Sequence, residues 1–173
     1  MKKFLCVTLC LVILLSLSAC VTDTPPTKET SQSQGQQAPE KDDATFGLGD
    51  TASFKDLKFT AMELKESDGD DFFTPAEGNT FVGVKFTIEN ISDEEQSVSS
   101  LLLFEAYADD IKCSYSFNAA CAFSEGTLDG DVASGKKLVG WYAVEVPSNW
   151  STIELEVQTS WLSQNSAKFV FSK

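Results

Sequence analysis

Histidine and arginine are both missing from this 173-residue chain, and all 13 of its basic residues are lysine. Without histidine there is neither the commonest general base near neutral pH nor the commonest metal ligand. Without arginine there is no planar fork to clamp a carboxylate or phosphate through paired hydrogen bonds. Positive charge is scarce altogether, since 26 acidic residues set the formal net charge at −13. Nucleic-acid binding needs a basic footprint that displaces counterions from phosphates, so no nucleic-acid partner is expected. Anionic polymers and acidic membrane surfaces are disfavoured for the same Coulombic reason. No Ser-His-Asp arrangement can be assembled, and Ser134-Gly135-Lys136 reads as a turn rather than a Ser-Lys dyad. No catalytic residue, cofactor or metal ligand is assigned, and a non-enzyme is expected.

A long apolar run is lacking too. Met1-Lys2-Lys3 is a short positive segment, and the apolar stretch after it, residues 4–17, is 14 residues long. A membrane-spanning helix needs about 20 such residues, whereas a signal-peptide core needs fewer. The stretch ends in Leu17-Ser18-Ala19-Cys20, which resembles the lipobox of bacterial lipoproteins. That resemblance implies cleavage between Ala19 and Cys20, and a thioether-linked diacylglycerol on Cys20. The protein would then be extracytoplasmic and lipid-anchored to the bacterial cell membrane. The alternatives are an ordinary secretory signal with Cys20 merely near the cut, or an uncleaved anchor.

Residues 21–44 are Thr, Ser, Gln, Pro and charge, without an aromatic residue. Such a segment cannot bury enough apolar surface to offset the entropy of ordering, so it reads as a disordered tether. As a flexible coil its r.m.s. span is roughly 27 Å. The expected organisation is a lipoprotein signal peptide at 1–19, the lipidated cysteine and tether at 20–44, and one domain at 45–173. From Thr45 onward, 9 lysines stand against 21 acids, a net charge of −12.

That domain is organised around residues 79–92. Val82, Val84, Phe86 and Ile88 alternate with Phe81, Lys85, Thr87 and Glu89, the period-2 pattern of a half-buried strand. Further strands are expected at about 51–54, 57–65, 100–108, 111–116, 137–146, 152–161 and 167–172. The run Leu101-Leu102-Leu103-Phe104 fits a strand buried on both sides or a short helical turn. Asp109-Asp110 reads as a tight turn. Many short strands at this spacing predict an all-β sandwich.

A family resemblance follows from two stretches. Residues 78–90, Gly-Asn-Thr-Phe-Val-Gly-Val-Lys-Phe-Thr-Ile-Glu-Asn, resemble the central strand of an uncharacterised Ig-like domain family of bacterial surface lipoproteins. Gly126-Thr127-Leu128, Ser134-Gly135-Lys136, Gly140 and Val144-Glu145-Val146-Pro147 are similar to its second conserved segment. Ser134 stands where that family has proline, and Val144 where it has phenylalanine. The resemblance implies a single Ig-like antiparallel β-sandwich of about seven to eight strands. The family is grouped with small secreted immunogenic antigens and carries no known catalytic residues.

Three sets of side chains remain as site candidates. Cys113 and Cys121 are an even pair in an exported domain, and a disulfide between them is expected. Closing that short loop would restrict the unfolded chain by roughly 2.6 kcal/mol. The alternative is two reduced, buried thiols. Acids cluster at Asp68-Asp70-Asp71, Asp93-Glu94-Glu95, Asp109-Asp110 and Asp129-Asp131. They read as solvated turn acids; a calcium-stabilised spacer or a small carboxylate-dependent hydrolase is the rival reading. Phe72, Phe73, Trp150 and Trp161 either cap the core or form a contact surface. The function expected is a binding module whose partner is an envelope or host protein or glycan.

Overall fold

The structure, a computed structural model, describes residues 26–29, 45–123, 126–160 and 165–173. The signal segment, Cys20 and Trp161 lie outside those residues. In chain order the elements are β1 (Thr27–Glu29), β2 (Thr45–Phe46), β3 (Thr51–Ser53), β4 (Leu57–Ser67), β5 (Asn79–Asn90) and β6 (Gln96–Val98). They continue with α1 (Ser100–Leu103), β7 (Phe104–Ala108), β8 (Ile111–Cys113), α2 (Phe117–Cys121), β9 (Gly130–Val132), β10 (Lys137–Pro147), β11 (Thr152–Gln158) and β12 (Ser166–Ser172). One sheet has the order β1-β3-β4-β5-β10, the second β2-β12-β11-β7-β8, and β6 pairs with β9 in a short ribbon. Among the described residues these strands pair antiparallel except β2 with β12, and Thr127 makes an isolated parallel bridge to Trp141. The expected all-β sandwich is the fold.

β5 holds the centre because its alternation puts Val82, Val84, Phe86 and Ile88 into the space between the sheets. The Phe86 ring meets Phe104 of β7 at 5.5 Å and Phe169 of β12 at 5.2 Å, both edge-on. Aromatic pairs favour that arrangement. Leu57, Phe59 and Ala61 of β4 join the same core, and the register then slips between Ala61 and Glu63. This bulge at Met62, which is exposed, explains why the alternation in the β4 sequence is loose.

Four features depart from the sequence expectation. β5 is not half-buried along its first half, because Phe81 points outward and is still fully covered. Its cover is α2 with Phe123, packed around Phe81, Trp141 and Ala143. Ser116 caps that helix by accepting from the Ala119 N–H at 3.1 Å. Of the two readings for residues 101–104, the helical turn is the one found, as α1, so the strand expected at 100–108 begins only at Phe104, and Leu101 and Leu102 face solvent. β6 and β9 are three residues each, too short to show a period. β1 lies inside the stretch read as an unstructured tether, and pairs Thr27, Lys28 and Glu29 with Ser53, Ala52 and Thr51.

The Asp109-Asp110 turn is as expected. Both residues have positive φ, 47° and 67°, the geometry of a two-residue hairpin matched to strand twist. The Asp109 carboxylate also accepts the Thr152 N–H at 2.8 Å, which ties this hairpin to β11.

Candidate functional site

An open groove of about 200 Å³ lies where β8 and β10 bound the mouth between the sheets, and it is lined by Ser100, Phe104, Glu105, Cys113, Tyr115 and Tyr142 among others. Its aromatic wall is built from both sheets. Tyr142 of β10 stacks on Phe104 of β7 at 4.9 Å and 19°, and Tyr115 leans on Tyr142 at 5.5 Å. Tyr115 reaches this position because the chain after β8 crosses to the edge of β10, bridging Val144, where the Ser116 N–H donates to Ala143 O at 2.9 Å. This crossing also covers the edge of β10, which would otherwise present unpaired backbone groups.

The opposite wall is held by a carboxylate. Asp129 accepts from the Ser100 N–H at 2.9 Å and from its hydroxyl at 3.1 Å, fixing the first residue of α1. The segment just before Asp129 sits against β10, where Thr127 bridges Trp141. A Cβ on Gly140 would lie 2.6 Å from the Thr127 carbonyl oxygen, so only glycine permits that approach. At the rim, Glu105 accepts from Lys112 Nζ at 3.0 Å and from the Tyr107 hydroxyl at 3.2 Å. The Lys112 ammonium, followed by the Tyr107 hydroxyl, holds the Glu105 carboxyl below its ordinary range.

Inside the charged Glu105–Lys112 rim, the titratable groups of the groove are neutral ones. Burial pushes the Cys113 thiol up, which keeps it protonated and denies it the thiolate that nucleophilic chemistry requires. Burial likewise raises Tyr142 well above the ordinary phenol range. Burial first, and the Asp129 charge second, raise Tyr115. The Tyr115 hydroxyl is buried and makes no hydrogen bond among the described residues. Phe104 and Tyr142 are themselves buried, so these rings form the packed floor of the groove, and the groups nearer solvent are Leu101, Glu105 and Lys112.

Two of the sequence candidates meet different surroundings here. The expected Cys113–Cys121 disulfide is not formed, and both residues are free thiols. Cys113 packs against the core between the sheets, while Cys121 ends a helix that covers the outer face of the first sheet. Packing does the work expected of the bond, because Phe123 stacks on Trp141 at 4.7 Å and 20° and pins the same excursion.

Three of the four acidic clusters contain a carboxylate that holds the chain itself in place. Asp70 accepts the N–H groups of Phe72 and Phe73, each at 2.8 Å. Asp131 accepts the Ser97 hydroxyl at 2.6 Å. Among the described residues no three acids or cysteines converge as metal ligands would. Trp150 is buried in the core, Phe73 packs against the outer cluster, and Phe72 is 87% exposed. The groove itself escaped sequence reasoning. Its signal was the odd alternation of Tyr115 and the polar Ser114-Ser116 after β8.

A two-layer antiparallel sandwich with these crossings places the molecule among the Ig-like β-sandwich proteins. The chain belongs to the family described as a domain of unknown function, DUF4352, which matches residues 46–168. No curated protein matches the chain. Among solved structures it is similar to a candidate lipoprotein, ycdA, from Bacillus subtilis, with a TM-score of 0.59 and 15% identity over 70% of this chain. The chain spans 38% of that protein's length. It is similar to an uncharacterised β-sandwich protein from Clostridium difficile, with a TM-score of 0.50 and 14% identity over 79% of this chain and 99% of the other. It is also similar to the secreted protein MPT63 from Mycobacterium tuberculosis, with a TM-score of 0.52 and 13% identity over 78% and 100% of the two chains. At these identities the likeness is one of fold.

Proposed function

We propose that the protein is an extracytoplasmic lipoprotein, anchored through Cys20, whose sandwich binds an envelope or host protein at the groove and does no chemistry there. The observation that carries the binding surface is an apolar rim on a strongly acidic molecule. Leu101, on the groove wall, is 71% exposed, and Ile111 and Phe117, each two residues from Cys113 or Tyr115, are 72% and 62% exposed. Large side chains held out beside a cleft mark an interaction surface. A secreted protein and a candidate lipoprotein among its structural neighbours support the extracytoplasmic location. Among the described residues no helix is long and apolar enough to cross a membrane; the proposed attachment rests on the lipobox-like Leu17-Ser18-Ala19-Cys20.

Photo-crosslinking on intact cells tests the surface. A photoreactive side chain at position 101, 111 or 117 gives one discrete adduct, and the same group at exposed position 55 gives none. Adducts at every position alike, or none at the three rim positions, would contradict the proposal.

A further inference from the structure

We propose that β1 is a detachable clip that sets how far, and which way up, the sandwich stands from the membrane. The membrane half of this inference rests on the Cys20 anchor proposed above; the clip itself does not.

The clip is small and specific. Three residues pair with β3 in a defined register, and one side chain, Lys28, does most of the fastening. Its Nζ lies 2.7 Å from Asp50 Oδ2, donates to the Thr45 carbonyl oxygen at 3.0 Å, and stands 5.5 Å from the centre of the Phe46 ring. Lys28 thus joins the N-terminal segment to the point where the domain proper begins. Burial alone would push the Asp50 carboxyl up. The hydrogen bonds from Lys28 and the Gly47 N–H, with the Lys28 charge, outweigh it and leave the group below its ordinary value. A three-residue edge strand opens at low free energy compared with β4 or β5.

Docking shortens the leash. From Cys20 to Pro26 is six residue steps, so the docked chain reaches at most about 20 Å. With β1 released, the connection runs 25 steps to Thr45, and its covalent limit rises to about 80 Å.

Docking also gives the domain a polarity. Thr27 pairs with Ser53, Ser53 with Lys58, Lys58 with Glu89 and Glu89 with Lys137, so the chain joins the sheet at one end of its strands. The opposite end carries the Ser67–Phe81 and Glu145–Phe81 pairings. At a strand rise of about 3.3 Å per residue it lies about 30 Å away. The clip therefore holds the β3–β4 turn toward the anchor, and the loop bearing exposed Phe72 away from it.

The test uses the full mature chain purified with its lipid and placed in a supported bilayer. Hydrogen exchange reads the clip, and neutron reflectometry reads the height of the protein layer. In the native protein the amides of 27–29 that face β3 are protected. Lys28→Glu releases them, leaves β4 and β5 protected, and moves the layer outward, past the docked limit of about 20 Å. Exchange at 27–29 at the unstructured rate in the native protein, with β4 and β5 protected, would overturn the clip. Release of 27–29 without movement of the layer would overturn its effect on height. Absence of acyl mass on Cys20 would overturn the membrane half alone, because protection is measurable on the unlipidated chain.

Discussion

Asn90 shows what a single residue does here that its neighbours in sequence do not reveal. It is fully buried, and its amide donates to the carbonyl oxygens of Glu94 and Val132, each at 2.7 Å, while Oδ1 accepts from the Ser92 N–H at 2.9 Å and the Ser92 hydroxyl at 2.8 Å. All four hydrogen-bonding positions of the side chain are used. In the sequence Asn90 reads as a turn former closing β5, which is correct. Its second role, joining β5 to the β9 strand, depends on a partner 42 residues away and was illegible. Asn90→Ala leaves buried carbonyls unpaired and should lower stability by roughly 2–3 kcal/mol. Urea denaturation measures this; a loss under about 0.5 kcal/mol would mean that the network carries no weight.

At the scale of elements, legibility followed length and flanking turn signals, since β3 and β8, three residues each, were placed beside the turns that bound them. β5, β10, β11 and β12 are long enough to display their alternation, and they stand close to where the sequence placed them. The three-residue strands β1, β6 and β9 display none, and β1 is hidden further by polar composition. α2 was concealed for another reason. Phe117-Asn118-Ala119-Ala120-Cys121 makes little more than one helical turn, and only its tertiary cover over Phe81 and Trp141 gives it a role. That cover depends on Gly83, where a Cβ would lie 2.7 Å from the Phe123 ring and 3.0 Å from the Trp141 ring. Gly83→Ala should push Phe123 off its stack and cost about 1–3 kcal/mol. Protection at the α2 amides would fall while β11 and β12 keep theirs. Equal loss in both sheets would show that α2 is not a separable cover.

For the whole molecule, the alternation of β5, the spacing of the other strands and the two family-like stretches at 78–90 and 126–147 were enough to indicate an all-β sandwich of this family. They were not enough to locate the groove, since its wall is assembled from α1, β7, the crossing after β8, and β10. Nor could spacing decide the state of Cys113 and Cys121, because the sheet edge between their environments is a tertiary feature. The account of function joins a lipid at Cys20 to a sandwich that holds free thiols and an apolar rim. Its most direct test is the intact mass of the protein taken from its native membrane and alkylated after unfolding without reductant. The mass predicted is that of a chain beginning at Cys20, carrying acyl groups, with Cys113 and Cys121 both alkylated. An unacylated chain released to the medium, or one whose two thiols react only after reduction, would contradict it.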